Sequence, residues 1–333
     1  MERSRRFVKI LGLGSYVPEN VVTNDDLSKF VDTSDEWIRT RTGIRERRIA
    51  SPDQATSDLC IEAARRALES AGVGAGDIDV VLTGTITPDT IFPSVAVRVQ
   101  DKLGLRHVPC FDFNTACSGV QYGVELVNSL LTSSGRYKNA LLICGDKMTS
   151  VVDWKDRSVC VLMGDGAGAM VFSATDREDE NSVVDVMLGA NGEFFNLLIV
   201  PAGGSREPAN EETVRGGRHF FKMDGREVFR ESVRIMGNCA TEILKRNGMT
   251  PDDVDFVVPH QANLRIINAL QERLEIPDEK ICITVDRYGN TSASSCLIAM
   301  DTLVKEGKIR NGTKILSVAF GAGLTWGASI LKF

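Results

Sequence analysis

The chain repeats itself at an interval of 176 residues. Residues 113–119 read Phe-Asn-Thr-Ala-Cys-Ser-Gly, and residues 289–295 read Gly-Asn-Thr-Ser-Ala-Ser-Ser. The same interval aligns further identical residues without a gap, namely Gly72 with Gly248, Asp77 with Asp253, Asp79 with Asp255, Asn114 with Asn290, Lys138 with Lys314 and Gly145 with Gly321. We interpret the chain as a duplicated α/β unit in which only the first copy of this junction carries a thiol.

Helix and strand patterns support this interpretation. In residues 57–71 the apolar side chains recur at helical spacing until Gly72, and residues 79–82 form a buried-strand pattern. A helix through residues 243–244, a turn at Gly248 and a strand at 255–258 repeat that order. Because helices alternate with buried strands, we expect sheets covered on both faces, in a layered α-β-α-β-α sandwich.

The repeat also predicts where the halves lie. We expect an N-terminal half over residues 1–173 and a C-terminal half over residues 223–333, built as one compact body. Residues 174–222 are polar and rich in glycine. They are expected to form an inserted loop region, suited to a lid or to contact with a partner.

Composition excludes several classes of protein. The chain has 333 residues, 43% of them hydrophobic, and its net charge of -6 gives no reason to bind nucleic acid or an anionic membrane. Its eight cysteines include no CxxC pair, which favours reduced thiols and a cytoplasmic location. The basic start leads into an apolar run that Lys9 and two glycines interrupt, so no signal peptide is expected, and no apolar stretch is long enough to span a membrane.

Cys117 is the best candidate for a nucleophile. Four apolar residues follow it at helical spacing, Val120, Val124, Val127 and Leu131, so the thiol is predicted at the N-terminus of a core-facing helix. The helix dipole there favours thiolate, and can lower a cysteine pKa from about 8.5 to roughly 3.5–7.5. The small neighbours Ala116, Ser118 and Gly119 allow a substrate to approach closely.

Two residues of the second half are candidates to join the thiol. His260 ends an apolar strand, whereas His107 and His219 are expected to be structural or exposed. Taken alone, His260 could equally be a buried core histidine, and Asn290 is more typical of a turn. A pseudo-twofold axis between duplicated halves brings equivalent junctions together, however, and so predicts one centre containing Cys117, His260 and Asn290.

Six motifs in order carry a resemblance to a known family. They are Asp-Thr-Ser-Asp-Glu-Trp-Ile with Arg-Thr-Gly-Ile-Arg-Glu-Arg (32–47), Asn-Thr-Ala-Cys-Ser-Gly, Gly-Asp-Gly-Ala-Gly-Ala, His-Gln-Ala-Asn, Tyr-Gly-Asn-Thr-Ser-Ala-Ser and Gly-Ala-Gly-Leu-Thr-Trp-Gly. Over essentially its whole length the chain resembles β-ketoacyl-acyl-carrier-protein synthase III, an enzyme of the thiolase-like fold. The resemblance implies a homodimeric acyltransferase without a cofactor, which begins type II fatty acid synthesis by condensing an acyl-CoA primer, such as acetyl-CoA, with malonyl-acyl-carrier protein.

The resemblance also implies the roles of individual residues. Cys117 would form an acyl-enzyme, His260 and Asn290 would stabilise the enolate formed by decarboxylation, and the backbone N–H groups of Cys117 and Ala322 would form an oxyanion hole. Some family members carry glycine in place of Ala322, which a backbone donor tolerates. Elongating synthases use two histidines and thiolases a second cysteine, so Asn290 favours the initiating class.

Binding residues are carried over in the same way. Trp37 and Arg157 would flank the adenine of CoA, Arg41 would approach a phosphate, and Gly225 and Asn263 would line the pantetheine tunnel. The primer pocket would comprise Val161, Leu162, Leu324 and Phe92, with Phe92 reaching in from the partner subunit. Carrier protein would contact Gln261, Ala262, Asn263, Leu264, Arg265 and Arg230. Arg226 falls where relatives often have a polar amide, and its contact is left unassigned.

Other interpretations remain open. The basic run that includes Arg215, Arg218, Lys222, Arg226, Arg230 and Arg234 could be only a solvated helix face. The order Cys-His-Asn is shared with papain-like thiol hydrolases, although their cysteine signature is absent. Related Cys-His-Asn enzymes of secondary metabolism perform other condensations or acyl transfers. The stretch 164–168 lacks the dinucleotide-binding pattern and is interpreted as a tight turn.

Overall fold

A computed structural model describes residues 6–133, 135–177 and 182–333. The first five residues of the basic start therefore lie outside the described residues, as does part of the predicted insertion at 178–181. The strands are β1 (Phe7–Tyr16), β2 (Val21–Thr23), β3 (Glu46–Arg48), β4 (Val80–Gly84), β5 (Cys110–Phe113), β6 (Asn139–Asp146), β7 (Gly166–Thr175), β8 (Val183–Ala190), β9 (Leu198–Ile199), β10 (Lys222–Met223), β11 (Phe256–Pro259), β12 (Lys314–Gly321) and β13 (Thr325–Lys332).

Helices connect and cover these strands. They are α1 (Asn24–Ser28), α2 (Asp35–Thr42), α3 (Thr56–Ala71), α4 (Val95–Lys102), α5 (Gly119–Ser133), α6 (Arg157–Cys160), α7 (Glu211–Arg215), α8 (Gly225–Arg246), α9 (Leu264–Leu274), α10 (Val285–Tyr288) and α11 (Ser295–Lys305). None of the helices within the described ranges is long and apolar enough to cross a membrane. The helix predicted over residues 57–71 and the helix predicted after Cys117 are both confirmed, as α3 and α5.

Two sheets of matching topology form the body of the protein. The first has the strand order β1-β7-β6-β4-β5, and the second has the order β8-β13-β12-β11. In each sheet two antiparallel pairings on one side are followed by parallel pairing on the other, with β6, β4 and β5 parallel in the first sheet and β12 and β11 parallel in the second. A single parallel bridge between Val257 and Ile281 occupies the side of β11 that corresponds to β5 in the first sheet.

The predicted five layers are present. Helices α5 and α11 contact strands of both sheets and form the central layer, whereas α3 covers the first sheet and α8 covers the second. The central layer is apolar because Val120, Val124, Val127 and Leu131 of α5 are completely buried, as the periodicity predicted. The layered α-β-α-β-α sandwich is therefore confirmed.

The predicted boundary of the second half was wrong. The region 174–222 was expected to be an inserted loop, but β8 lies inside it and pairs along its length with β13. Shifted by the repeat interval, the start of β1 falls on residue 183, where β8 begins, so β8 is the second copy of β1. Sequence identity between these two strands is too low to reveal the repeat, because only the alternation of buried side chains is required of an edge strand.

The duplicated junctions share an unusual backbone. A single turn of 3-10 helix spans Ala116–Ser118 in the first half and Ser292–Ser294 in the second, at the repeat interval. Ala116 and Ser292, the first residues of these turns, have φ values of 49° and 53°, in the left-handed region that side chains with a Cβ rarely adopt. We call these two turns the paired elbows. Each elbow is followed at once by a central helix.

Glycines let helix α3 pack closely on β1. A Cβ added at Gly14 would lie 2.3 Å from the backbone nitrogen of Ala67 and 2.7 Å from the carbonyl oxygen of Ala63. Both neighbours are backbone atoms of α3, so the helix as a whole would have to move to make room.

Gly14→Ala should therefore lower the free energy of unfolding by about 1–3 kcal/mol through overpacking. The matched control is Gly76→Ala, at an exposed turn where an added Cβ meets nothing within 4 Å. Urea denaturation followed by circular dichroism measures both variants. Equal stability of the two would show that the helix-to-sheet distance does not depend on this glycine.

Candidate active site

One apolar cavity contains the three predicted catalytic residues. Cys117 lies in the first elbow, His260 directly follows β11, and Asn290 lies two residues before the first residue of the second elbow. The cavity is lined by Ile86, Ala116, Cys117, Met148, Leu162, Met163, Leu198, Phe221, Met223, Gly225, Val228, Phe229, His260, Ala262, Asn263, Ile266, Asn290, Phe320, Gly321 and Ala322. The predicted convergence of the two halves is therefore present, and most of the remaining wall is hydrocarbon.

Cys117 is held against the end of β12. A Cβ added at Gly321 would lie 2.7 Å from the backbone nitrogen of Cys117, so only glycine permits this approach. The Cys117 thiol donates a weak hydrogen bond to the Ser292 hydroxyl at 3.6 Å, across the two elbows. Ala322, which follows Gly321, lines the same cavity, in agreement with its proposed part in an oxyanion hole.

Burial acts on the Cys117 thiol in the opposite direction to the helix N-terminus. Burial raises the pKa of the Cys117 thiol to about 12, and the hydrogen bond with Ser292 offsets only part of this effect. The cysteine does precede a helix, but loss of hydration in the apolar cavity is the largest influence on its pKa and favours the neutral thiol.

His260 is also neutral. Its side chain is buried, and burial lowers the pKa of the imidazole to about 4. The ring nitrogen Nδ1 lies 2.7 Å from the hydroxyl oxygen of Ser295, the first residue of α11. Nε2 is the nitrogen left to serve the cavity, so His260 can act there without bringing a positive charge.

The amide of Asn290 has a defined orientation. Its Oδ1 accepts the backbone N–H of Ser292 at 2.9 Å, which leaves the Nδ2 protons for the cavity. Its backbone is fixed as well, because its N–H donates to the carbonyl of Leu162 and its carbonyl accepts from Gly164. Asn290 thus presents a hydrogen-bond donor at a fixed position.

A basic outer pocket adjoins the cavity. It is lined by Arg41, Gly225, Arg226, Phe229, Asn263 and Arg265, and it shares Gly225, Phe229 and Asn263 with the cavity. Gly225 and Asn263 were the residues predicted to line the pantetheine tunnel, and they lie where the two spaces meet. Arg226, left unassigned from the sequence, lies on this pocket with Arg41 and Arg265.

Trp37 is enclosed by two predicted CoA-binding residues. The guanidinium carbon of Arg41 lies 4.5 Å from the centre of the tryptophan ring, and that of Arg157 lies 5.2 Å from it. Arg157 also donates hydrogen bonds to the backbone and the carboxylate of Asp32. These three residues form a flat cationic platform, as recognition of a nucleotide requires.

Gln261 differs from the other predicted carrier-binding residues in the position of its side chain. The contact expected between Gln261 and the carrier stays a prediction, and the side chain of Gln261 is buried. Its amide donates to the carbonyls of Pro259 and Cys282 and accepts the N–H groups of Thr284 and Val285. The side-chain amide of Gln261 therefore connects the end of β11 to the backbone of residues 282–285.

The basic run is largely ion-paired. Arg230 pairs with Glu227 and Glu231, and Arg234 also pairs with Glu231. Earlier in the run Arg215 pairs with Glu211, Arg218 with Glu207 and Lys222 with Asp153. Arg265 is exposed and lies over the ring of Phe229, 5.4 Å from its centre, beside the half-buried Ala262, Asn263 and Leu264. Within the described residues, Arg41, Arg226 and Arg265 of the outer pocket have no acidic partner, so their charges are available to an acidic surface.

The predicted primer residues are spread over three environments. Leu162 lines the cavity, whereas Val161 and Leu324 are buried in the apolar cluster that surrounds it. Phe92 does not line the cavity of its own chain, and 84% of its surface is exposed, next to the exposed Ile91. Its predicted contact with a second subunit stays a prediction.

The sequence interpretation missed two polar residues next to the thiol. Besides bonding to Cys117, Ser292 interacts with the carboxyl of Asp146, a completely buried side chain at the end of β6. Asp146 Oδ1 accepts hydrogen bonds from Thr85, Ile86 and Thr87, yet burial still raises its pKa. Ser292 could have been found from the repeat, since it aligns with Ala116 at the elbow, but Asp146 carries no local signal.

Comparisons with known proteins agree with this geometry. The family model for 3-oxoacyl-[acyl-carrier-protein (ACP)] synthase III matches residues 111–192, and the model for the C-terminal part of that family matches residues 244–333. The chain is 49% identical to the β-ketoacyl-[acyl-carrier-protein] synthase III of Caldanaerobacter subterraneus subsp. tengcongensis over 97% of each chain.

Two solved structures are also similar. The 3-oxoacyl-[acyl-carrier-protein] synthase III of Aquifex aeolicus has a TM-score of 0.89 and 43% identity, covering 98% of this chain and 100% of its own. The priming β-ketosynthase of the R1128 polyketide pathway has a TM-score of 0.91 and 36% identity, covering 100% of this chain and 98% of its own. The thiolase-like fold expected from the sequence is therefore confirmed.

The lowered pKa of His260 predicts a dependence of stability on pH. Between the unfolded value near 6.5 and the folded value of about 4, the unfolded chain binds a proton that the folded chain does not. Stability from this group is therefore complete above pH 6.5 and is lost as the pH falls. From pH 7 to pH 5 the wild type should lose roughly 2 kcal/mol more free energy of unfolding than His260→Gln.

Urea unfolding at both pH values measures this difference. The buried carboxyls of Asp146 and Asp165 are common to both proteins, so their titrations cancel in the comparison. Parallel pH profiles for the two proteins would show that the imidazole is not desolvated.

Proposed function

The chain belongs to the β-ketoacyl-[acyl-carrier-protein] synthase III family, and on that premise we propose that it condenses an acyl-CoA primer with malonyl-acyl-carrier protein, releasing CO2 and CoA. It is an acyltransferase, the initiating condensing enzyme of type II fatty acid synthesis. One observation carries the proposed mechanism. A buried thiol, a neutral imidazole and an oriented amide line a single apolar cavity that opens towards a basic outer pocket.

Cys117 carries out the first half of the reaction. Its sulfur attacks the carbonyl carbon of the primer thioester, the bond to the CoA sulfur breaks, and the thiol proton leaves with CoA as its free thiol. The backbone N–H groups of Cys117 and Ala322 stabilise the negative oxygen of the tetrahedral intermediate. Burial raises the pKa of this thiol, which favours its neutral form before the primer arrives.

His260 and Asn290 carry out the second half. The malonyl carboxylate leaves as CO2, and its electron pair moves into the thioester to give an enolate. Two neutral donors then stabilise the enolate oxygen without attracting the departing carboxylate, which a histidinium would hold back. The enolate carbon attacks the acyl-cysteine carbonyl, a C–C bond forms, and the Cys117 sulfur is released.

The outer pocket suits the parts of both substrates that do not react, namely the CoA of the primer and the carrier protein of the malonyl substrate. Trp37 with Arg41 and Arg157 offers stacking and positive charge to the nucleotide of CoA. The passage at Gly225 and Asn263 suits the pantetheine arm. Arg265 extends towards an acidic carrier protein, with Ala262, Asn263 and Leu264 beside it. Arg230 is secondary because two carboxylates already neutralise it.

A homodimer is part of this proposal. The exposed Ile91 and Phe92 form an apolar surface near β5, the edge strand of the first sheet. Such a surface is costly in water, and a second copy of the chain would cover it. Phe92 of each subunit would then help to close the primer pocket of the other.

Substitutions at Cys117 and at His260 should separate the acylation step from the decarboxylation step. Cys117→Ala should form no acyl-enzyme but still decarboxylate malonyl-carrier protein, because the His260 and Asn290 donors are intact. His260→Ala should still become acylated, whereas its decarboxylation rate should fall by about 10² to 10³.

Intact-protein mass spectrometry after incubation with acyl-CoA measures the first step, and release of labelled CO2 measures the second. Formation of an acyl-enzyme by Cys117→Ala would contradict the assignment. A panel of acetyl, branched and medium-chain CoA primers in the same assay would also define the primer.

Reversal of one charge should identify the carrier surface. Arg265→Glu should raise KM for malonyl-carrier protein and weaken the dependence of that KM on salt, while acylation by acyl-CoA stays unchanged. The control is Arg65→Glu, which makes the same change of charge on the outer-layer helix α3. If both variants behave alike with the carrier protein, Arg265 does not form the docking surface.

Related Cys-His-Asn enzymes of secondary metabolism remain the second candidate. The similarity to a priming ketosynthase of a polyketide pathway favours keeping this possibility. Consumption of malonyl-carrier protein from the fatty acid pathway, with release of a 3-oxoacyl-carrier protein, distinguishes the two functions. A thiol hydrolase is disfavoured because the duplicated sandwich and the basic outer pocket have no use in peptide cleavage.

A further inference from the structure

The proposed second step needs a particular form of His260. A neutral imidazole has a single N–H, which can sit on either ring nitrogen. Only a proton on Nε2 can be donated into the cavity, since Nδ1 is taken up by Ser295. Burial makes the ring neutral but does not by itself choose the nitrogen.

The hydrogen bonds of Ser295 determine which ring nitrogen of His260 carries the proton. Its oxygen accepts the backbone N–H of Gln261 at 3.3 Å, so the hydroxyl already acts as an acceptor on one side. Its single proton is then free to be donated to Nδ1 of His260, 2.7 Å away. The adjacent Cys296 thiol, which Ser295 also contacts, is a weak acceptor that competes poorly with an imidazole nitrogen.

We propose that Ser295 is a positioning residue that fixes His260 as the Nε2–H tautomer and so orients its proton donor towards the enolate. Both side chains are buried, and the contact between them is short and shielded from water. A hydrogen bond of this kind, with no competing solvent, strongly favours one tautomer over the other. This inference rests on the proposed function for its kinetic consequence, but not for the tautomer itself.

The duplication supports a paired origin for these two residues. At the repeat interval, His260 aligns with Gly84 and Ser295 aligns with Gly119, so the first half has glycine at both places. There, an added Cβ at Gly84 would lie 2.9 Å from the ring of Phe113, and one at Gly119 would lie 3.0 Å from Ala293. The first half therefore has no space for either side chain, and only the second half builds the pair.

Loss of the hydroxyl should affect the two half-reactions differently. In Ser295→Ala the ring can place its proton on Nδ1 and turn a lone pair at Nε2 towards the cavity. A lone pair repels the enolate oxygen, so decarboxylation should slow by about 10-fold or more, less than the 10² to 10³ expected for removing a donor. Acylation of Cys117 should remain within about 2-fold of wild type, because Ser295 does not contact the thiol.

The tautomer can be observed directly. The chain has only three histidines, so protein labelled with 15N-histidine gives few ring signals, and His107→Gln and His219→Gln identify the other two. In the wild type at pH 7, His260 Nε2 should show the chemical shift and proton coupling of a protonated nitrogen, and Nδ1 those of an unprotonated one. Ser295→Ala should shift both signals towards a mixture, and Ser295→Thr should restore them.

Ser294→Ala is the matched control, since it removes a neighbouring buried hydroxyl that bonds to the carbonyl of Thr291 and not to His260. It should leave the ring signals and the decarboxylation rate as in wild type. A wild-type ring protonated on Nδ1, or a Ser295→Ala ring still fully protonated on Nε2, overturns the inference. The NMR measurement decides this even if the chain does not consume malonyl-carrier protein, an outcome that would instead contradict the proposed function.

Discussion

The active site depends on the contact between two strained turns. In each half one residue adopts a left-handed backbone and a buried helix begins three residues later, after β5 in the first half and after α10 in the second. The turns meet at the centre of the molecule, where the thiol of Cys117 bonds to Ser292 and Gly119 packs against Ala293. A left-handed residue with a Cβ costs of order 1–3 kcal/mol and persists only where its surroundings enforce it. The five-layer packing supplies that enforcement, because both following helices are buried between the sheets.

Burial then sets the chemistry of this centre. The imidazole of His260 and the carboxyl of Asp146 are buried, the thiol of Cys117 lines the apolar cavity, and for each the shift in pKa favours the neutral form. Positive charge is kept at the entrance, on Arg41, Arg226 and Arg265. Anionic substrates are thus attracted to the entrance, while the reacting carbonyls meet only neutral donors. This separation suits a reaction in which a carboxylate must leave.

A buried cation connects the wall of the site to the N-terminal part of the chain. Arg47 is completely buried, and its guanidinium donates to the carbonyls of Val22 and Val161 and to the side chain of Asn24. Burial lowers its pKa to about 10, so it remains charged at neutral pH. Val161 precedes Leu162, whose carbonyl accepts the backbone N–H of Asn290, so Arg47 is connected to the backbone of Asn290 through these two residues.

Sequence alone determined the duplication, the identity of the three site residues and the helices that follow the elbows. These follow from short-range patterns: a repeated junction, helical spacing after Cys117 and a strand that ends at His260. Tertiary structure alone decided the rest. The membership of β8 in the second sheet depends on pairing with β13, which lies more than a hundred residues later. The raised pKa of the Cys117 thiol and the burial of the Gln261 side chain were also decided there. Burial outweighs local propensity, and burial depends on the packing of both halves, which no single segment encodes.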